Sequence, residues 1–161
     1  MKLLFLLIGL VAGAAIGVLW TRSLSAVPDK SNWNWPDSLD AVKAAPHNHR
    51  VVFENSQIRI LEVILDPYEF EPHHTHSHPS VMFGADVDTP PFDIVYYAYG
   101  YDLANRRYFV KDSTRQHQSG QGDSTEAADL MKPEGPHRVK NLSNTRILAF
   151  RVEFKSAVKS P

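Results

Sequence analysis

The hydrophobic and polar positions divide the chain into three regimes: one unbroken apolar run, a short polar stretch, and then a long series of brief β-branched or aromatic segments. The run from Leu3 to Trp20 carries no charge and follows Lys2. It exceeds the ~7–15 residues of an export-signal core and reaches the lower edge of the ~17–25 residues of a membrane span. Gly9, Gly13 and Gly17 stand four apart, which on a helix forms a groove for close helix approach, and Trp20 and Arg22 suit an interface. Residues 1–25 therefore read as a transmembrane anchor. The alternative is a signal peptide cleaved after Ser25, where Ser23 and Ser25 are small residues at −3 and −1. The body lies outside the cytoplasm in both cases, membrane-anchored in the first and secreted or periplasmic in the second.

Residues 26–36 read as a linker, although Trp33 and Trp35 are unfavourable to leave in water and are expected to pack on the domain. Asp37 can cap a short helix through Ser38–Ala44, with Leu39 and Val42 on one face and Pro46 ending it. From there the periodicity changes. Val51–Phe53, Ile58–Leu65, Val81–Phe83, Phe92–Tyr99, Arg106–Val110, Gly135–Lys140 and Arg146–Phe154 are strand-like, separated by polar, Gly or Pro turns. Ser113–Glu126 is polar with two glycines and reads as a mobile loop containing a solvated His117. Many short strands after one short helix predict an all-β sandwich or barrel over residues 37–155, with residues 156–161 as a tail.

Composition narrows the chemistry. The length suits one domain, and the absence of cysteine excludes disulfides, thiolate metal ligands and a Cys nucleophile. The net charge of −1 becomes −3 once residues 1–25 are set aside, and no Lys/Arg cluster occurs in the body, so nucleic acid is excluded as the expected partner. His73-His74-Thr75-His76-Ser77-His78 holds four of the eight histidines. In a strand His74, His76 and His78 share one face and His73 points away, so one strand can offer several imidazoles to a single ion; the alternative is a His-rich surface loop. His47 and His49 read as ordinary polar loop residues, and Glu69 and Glu71 as solvated turn residues.

Two stretches resemble motifs of the cupin family, small double-stranded β-helix or jelly-roll barrels. Glu71-Pro72-His73-His74-Thr75-His76 resembles the first, with His74-x-His76 as its paired histidines, and Pro133-Glu134-Gly135-Pro136-His137 through Asn141 resembles the second. The likeness spans roughly residues 37–155 and extends to the short helix, to Phe53-Glu54-Asn55 and to the closing strand; it is nearest to the small single-domain cupins. It implies a cupin-like jelly-roll barrel with a short N-terminal helix behind the membrane segment of residues 3–20. It also implies a metal held by His74, His76 and His137. Three departures stand out: Ser80 or Val81 occupies the place of the family's metal-binding Glu, Tyr68 stands where a Gly is usual, and the second motif is one residue short before His137.

A His-only triad with open positions suits a divalent ion such as Fe, Mn, Zn, Ni or Cu. His78 is a candidate fourth ligand if Pro79 bends the strand end. Packing is the expected role of Tyr96, Tyr97 and Tyr99, with one of them lining the cavity as the alternative. The reading is thus an extracytoplasmic cupin-like protein that binds a divalent metal and a small oxygen-bearing ligand in the barrel. By resemblance the chemistry would be that of a dioxygenase or an isomerase, and a homodimer is left open. The competing readings are a non-catalytic small-molecule binding or sensing module without metal, and a structural domain whose histidines scavenge metal.

Overall fold

A computed structural model describes residues 33–85, 90–119 and 130–155. The apolar run of residues 3–20, the linker through residue 32 and the tail of residues 156–161 lie outside them. Among the described residues no helix is long and apolar enough to cross a membrane.

Eight strands follow a short helical entry: β1 (His49–Glu54), β2 (Ile58–Leu65), β3 (His74–His76), β4 (Ser80–Gly84), β5 (Phe92–Asp102), β6 (Arg107–Gln118), β7 (Glu134–Asn141) and β8 (Ile147–Phe154). They form two four-stranded sheets, β1-β2-β8-β4 and β3-β7-β5-β6, paired antiparallel throughout. From β2 to β5 the chain changes sheet at each step, and it returns to the first sheet at β8, which is the double-sheet jelly-roll layout.

The entry differs from the expected single helix. A 3₁₀ turn at Asp37–Leu39 is broken by the extended backbone of Asp40, and a separate one-turn helix, α1, runs Ala41–Ala44. Asp40, rather than Asp37, caps α1, its carboxylate accepting from the Val42 amide. The same carboxylate accepts both terminal nitrogens of Arg59, which fixes α1 against β2. Trp35 packs as expected: its indole lies over Gly135 on β7, where a Cβ would come within 3.0 Å of Nε1.

The Ser113–Glu126 loop is corrected in its first half. β6 continues through Gln118 in register with β5, and His117 bonds Asp93 across the hairpin rather than lying in a loop. Tyr68, at the expected glycine position, has φ 61°, a left-handed conformation that costs a bulky residue about 1–2 kcal/mol. The apolar core is small: Ala41, Ala45, Leu61, Leu65, Ile147 and Ala149 are its buried members. The remaining interior is polar, and the candidate site lies there.

Candidate metal centre

β3 is only three residues long, and all three are buried. Its pairing with β7 sets His74 opposite His137 and His76 opposite Glu134, with an irregularity between the two pairs. The ring centroids of His74 and His137 are 4.2 Å apart, those of His74 and His76 5.1 Å, and those of His76 and His137 5.5 Å. The three histidines named by the motifs therefore converge inside the barrel, drawn from two neighbouring strands.

A fourth imidazole joins them. His49, the first residue of β1 in the opposite sheet, is buried with its ring 4.4 Å from that of His74 and 5.1 Å from that of His76. Ligand atoms of His49, His74 and His76 all lie within 4.8 Å of one another, as do those of His76, Glu134 and His137. His49 had been read as a loop residue because its neighbourhood, Pro46-His47-Asn48, is turn-like. The signal that finds it is non-local: it pairs with Val63 on β2, which makes it the start of a strand. Its neighbour His47 remains at the surface beside Asp66, 3.4 Å away. His78 lies past the end of β3, half-buried and outside both groups of clustered ligand atoms.

Hydrogen bonds set the ring tautomers. His74 donates Nδ1–H to the Pro72 carbonyl at 3.0 Å, and His137 donates Nδ1–H to the Gly135 carbonyl at 2.9 Å. His76 donates Nδ1–H to Glu153 at 2.7 Å. Each bond leaves an Nε2 lone pair for coordination, the arrangement by which outer partners orient metal-binding histidines. His49 Nδ1 is buried without a hydrogen-bond partner. Burial lowers the pKa of His49 to about 3, helped by the neighbouring Arg151 and His137. It also holds His74 and His76 well below the ordinary value and His137 below it. All four are neutral at pH 7, the protonation state that a metal ligand requires. An orphaned ring nitrogen beside three tautomerically fixed imidazoles fits a divalent ion.

Carboxylates and arginines surround the rings. Glu153 accepts Arg59 Nε at 2.6 Å on one oxygen and His76 on the other. Glu134 accepts from Arg151 and, at 3.3 Å, from the Tyr96 hydroxyl. Burial opposes charge on Glu134, yet Arg151 and His137 together hold its carboxyl below the usual range. Glu134, opposite His76, thus places a carboxylate beside His76 and His137.

Tyr96 stacks on His137 at 5.1 Å and lines the site, while Tyr97 and Tyr99 face the other side of the sheet against Phe70 and His73. Glu71 is not a solvated turn residue. It is buried, accepts the Val139 amide and has its pKa raised by burial to about 8, with His74 Nε2 3.8 Å away.

No family model and no curated protein matches the chain. Among solved structures it is similar to a cupin domain from Bordetella pertussis Tohama I, at 17% identity and TM-score 0.48, covering 67% of this chain and 92% of that one. It is also similar to Drosophila melanogaster CENP-C bound to CAL1, at 10% identity and TM-score 0.36, covering 90% of this chain and 99% of that one. The strand order of the chain itself makes the fold an all-β, double-sheet jelly roll. Within this barrel the cluster bridges the two sheets, with His49 on one and His74, His76 and His137 on the other.

Proposed function

We propose that this cupin-like protein binds one divalent metal ion through the histidine cluster and presents it to a small oxygen-bearing ligand inside the barrel. The observation that carries the reading is the convergence of four buried, neutral imidazoles, three with Nδ1 tied to an acceptor so that Nε2 stays available. His74 and His76 form the centre of the donor set, His49 and His137 complete it from either side, and Glu134 is the carboxylate grouped with His76 and His137. A divalent ion held there supplies Lewis acidity and, where the metal is redox-active, electron transfer. The chain's own residues supply the rest: Glu153 holds the orientation of His76, Tyr96 and Arg151 hold Glu134, and the jelly roll encloses the ligand. Dioxygenase or isomerase chemistry is the class that the cupin resemblance favours. In the same proposal residues 3–20 tether the barrel on the outer side of a membrane.

The test is elemental analysis of the untagged protein, purified in parallel with His74→Ala/His76→Ala. Near-stoichiometric metal that disappears in the double variant is the expected result. A folded wild-type protein that holds no metal and takes up none on dialysis against Fe, Mn, Zn or Ni would sink the metal reading in favour of a metal-free binding module. Single variants His49→Ala and Glu134→Gln then sort the donors: His49→Ala is expected to weaken metal affinity by about 10–100-fold, the range typical of disturbed metal surroundings.

A further inference from the structure

Among the described residues, Asn48 Oδ1, His49 Nδ1, His73 Nε2, Ser80 Oγ and Arg151 Nε are buried without hydrogen-bond partners. Native interiors leave few such atoms, and an orphaned N–H on a buried cation is the costliest kind. Arg151 and Ser80 belong to one wall. Arg151 and Glu153 are two apart on β8 and share its inward face, and Ser80 on β4 stands opposite Glu153.

The two guanidinium groups of this interior are compensated unequally. Arg59 gives both terminal nitrogens to Asp40 and Nε to Glu153, so each of its three nitrogens has a carboxylate acceptor. Arg151 gives Nη2 to Glu134, and its Nε finds only Glu153 Oε1 at 4.0 Å, beyond hydrogen-bond reach and already bonded to His76. Arg151 is nevertheless close enough to His49, His74, His76 and His137 for its charge to oppose their protonation.

We infer that Arg151, with Ser80 on the same wall opposite Glu153, forms an oxyanion subsite that anchors the carboxylate, or an equivalent oxyanion, of the small ligand bound at the histidine cluster. The inference rests on the reading of that cluster as a ligand site and names the class of ligand it takes. A guanidinium donor and a hydroxyl are the groups that match a carboxylate, and charge-assisted bonds in a buried setting discriminate strongly against a neutral isostere. The same pair gives no comparable preference to a neutral sugar or an apolar ligand. Arg151 is thus a specificity-determining residue whose orphaned donor is satisfied when the ligand arrives.

The experiment is calorimetric titration of the full-length, metal-loaded protein with lactate, bicarbonate and inorganic phosphate, and with lactamide as the neutral counterpart of lactate. Arg151→Met, Arg151→Lys and Ser80→Ala are titrated alongside. The expected result is an oxyanion bound in preference to lactamide, with Arg151→Met weakening it about 10–100-fold when the proteins are compared at equal metal occupancy. Arg151→Lys should recover part of the loss, and Ser80→Ala should cost a few-fold. Metal bound normally, but with no oxyanion binding or with a preference that Arg151→Met leaves intact, overturns the inference and leaves the metal reading standing. If no metal is taken up, the same titrations on the metal-free protein decide: an Arg151-dependent preference supports the subsite, and its absence overturns it. If Arg151→Met fails to give a cooperative melt, Arg151→Lys and Ser80→Ala carry the comparison, and unchanged oxyanion affinity in both overturns it.

Discussion

The inward face of the β1-β2-β8-β4 sheet mixes apolar side chains with buried charges, whereas the outward positions of β8 are apolar and only half-buried. The inward residues of β8 are Ile147, Ala149, Arg151 and Glu153, all buried, and its outward residues are Leu148, Phe150, Val152 and Phe154. β2 repeats the pattern: Arg59, Leu61, Val63 and Leu65 face in, and Ile58, Ile60 and Ile64 face out. The inward face itself divides lengthwise. Leu65, Ile147 and Ala149 make a dry end, and Arg59, Arg151 and Glu153 make a charged one where the histidines gather. Alternation fixes which side chains share a face. It does not say which face is the interior, and here half of the interior is assigned to polar chemistry rather than to stability.

The comparison is most sharply broken at Glu153. Replacing it by Ala leaves the Arg59 guanidinium half-paired and His76 without its acceptor, so a loss of about 3–5 kcal/mol is expected in urea unfolding, the range for removing one partner of a buried ion pair. Leu61 is buried opposite Arg151 where the dry and charged ends meet, and Leu61→Ala should cost about 2–5 kcal/mol through the cavity it leaves. On the outward face, Phe150→Ala should cost less, about 1–2 kcal/mol, because its ring is already partly exposed to water. Equal losses for Leu61 and Phe150 would mean that the outward face is covered in solution.

Titration sharpens the same contrast, because the buried histidines gather at the charged end. The folded state holds four imidazoles below their ordinary value, so as pH falls past about 6.5 the unfolded chain takes up protons first. Each imidazole then removes stability as pH falls, which for His49 continues down to about 3. Glu71 acts with the opposite sign: its pKa, raised to about 8, makes stability fall as pH rises toward that value. Urea midpoints of chelator-treated protein should therefore peak near neutrality, and a midpoint flat between pH 5 and 8 would contradict the burial of the cluster. The smallest effect is expected at Tyr68, where Tyr68→Gly relieves a left-handed residue and should add about 0.5–1 kcal/mol, read as a rise in melting temperature.

Much of the barrel was legible in the sequence, and the reasons are local. β2, β5 and β8 are β-branched or aromatic runs that announce themselves, and His74, His76 and His137 carried the motif spacing. The second half of β6 was not legible, because Lys111–Gln118 is polar on both faces; it is a strand only because β5 pairs with it along its whole length. His49 and Glu71 were misread for a related reason. Each sits in a turn-like neighbourhood, and their burial comes from elements distant in the chain, β2 and β3 around His49 and Val139 against Glu71. Glu134 was visible as part of a motif, but its position facing His76 depends on the β3–β7 register.

β3 is short, pairs with β7 alone and lies at the edge of its sheet, while β1 edges the other. An ion held jointly by His49 and His74 would stitch these two margins, closing a loop of 25 residues. The barrel's resistance to heat then becomes a matter of supply, since binding to the folded form alone adds RT ln(1 + [M]/Kd) to its stability. In metal-poor surroundings the edge made by β3 would be the first seam to open, and metal availability would set how long the protein survives as well as whether it is loaded.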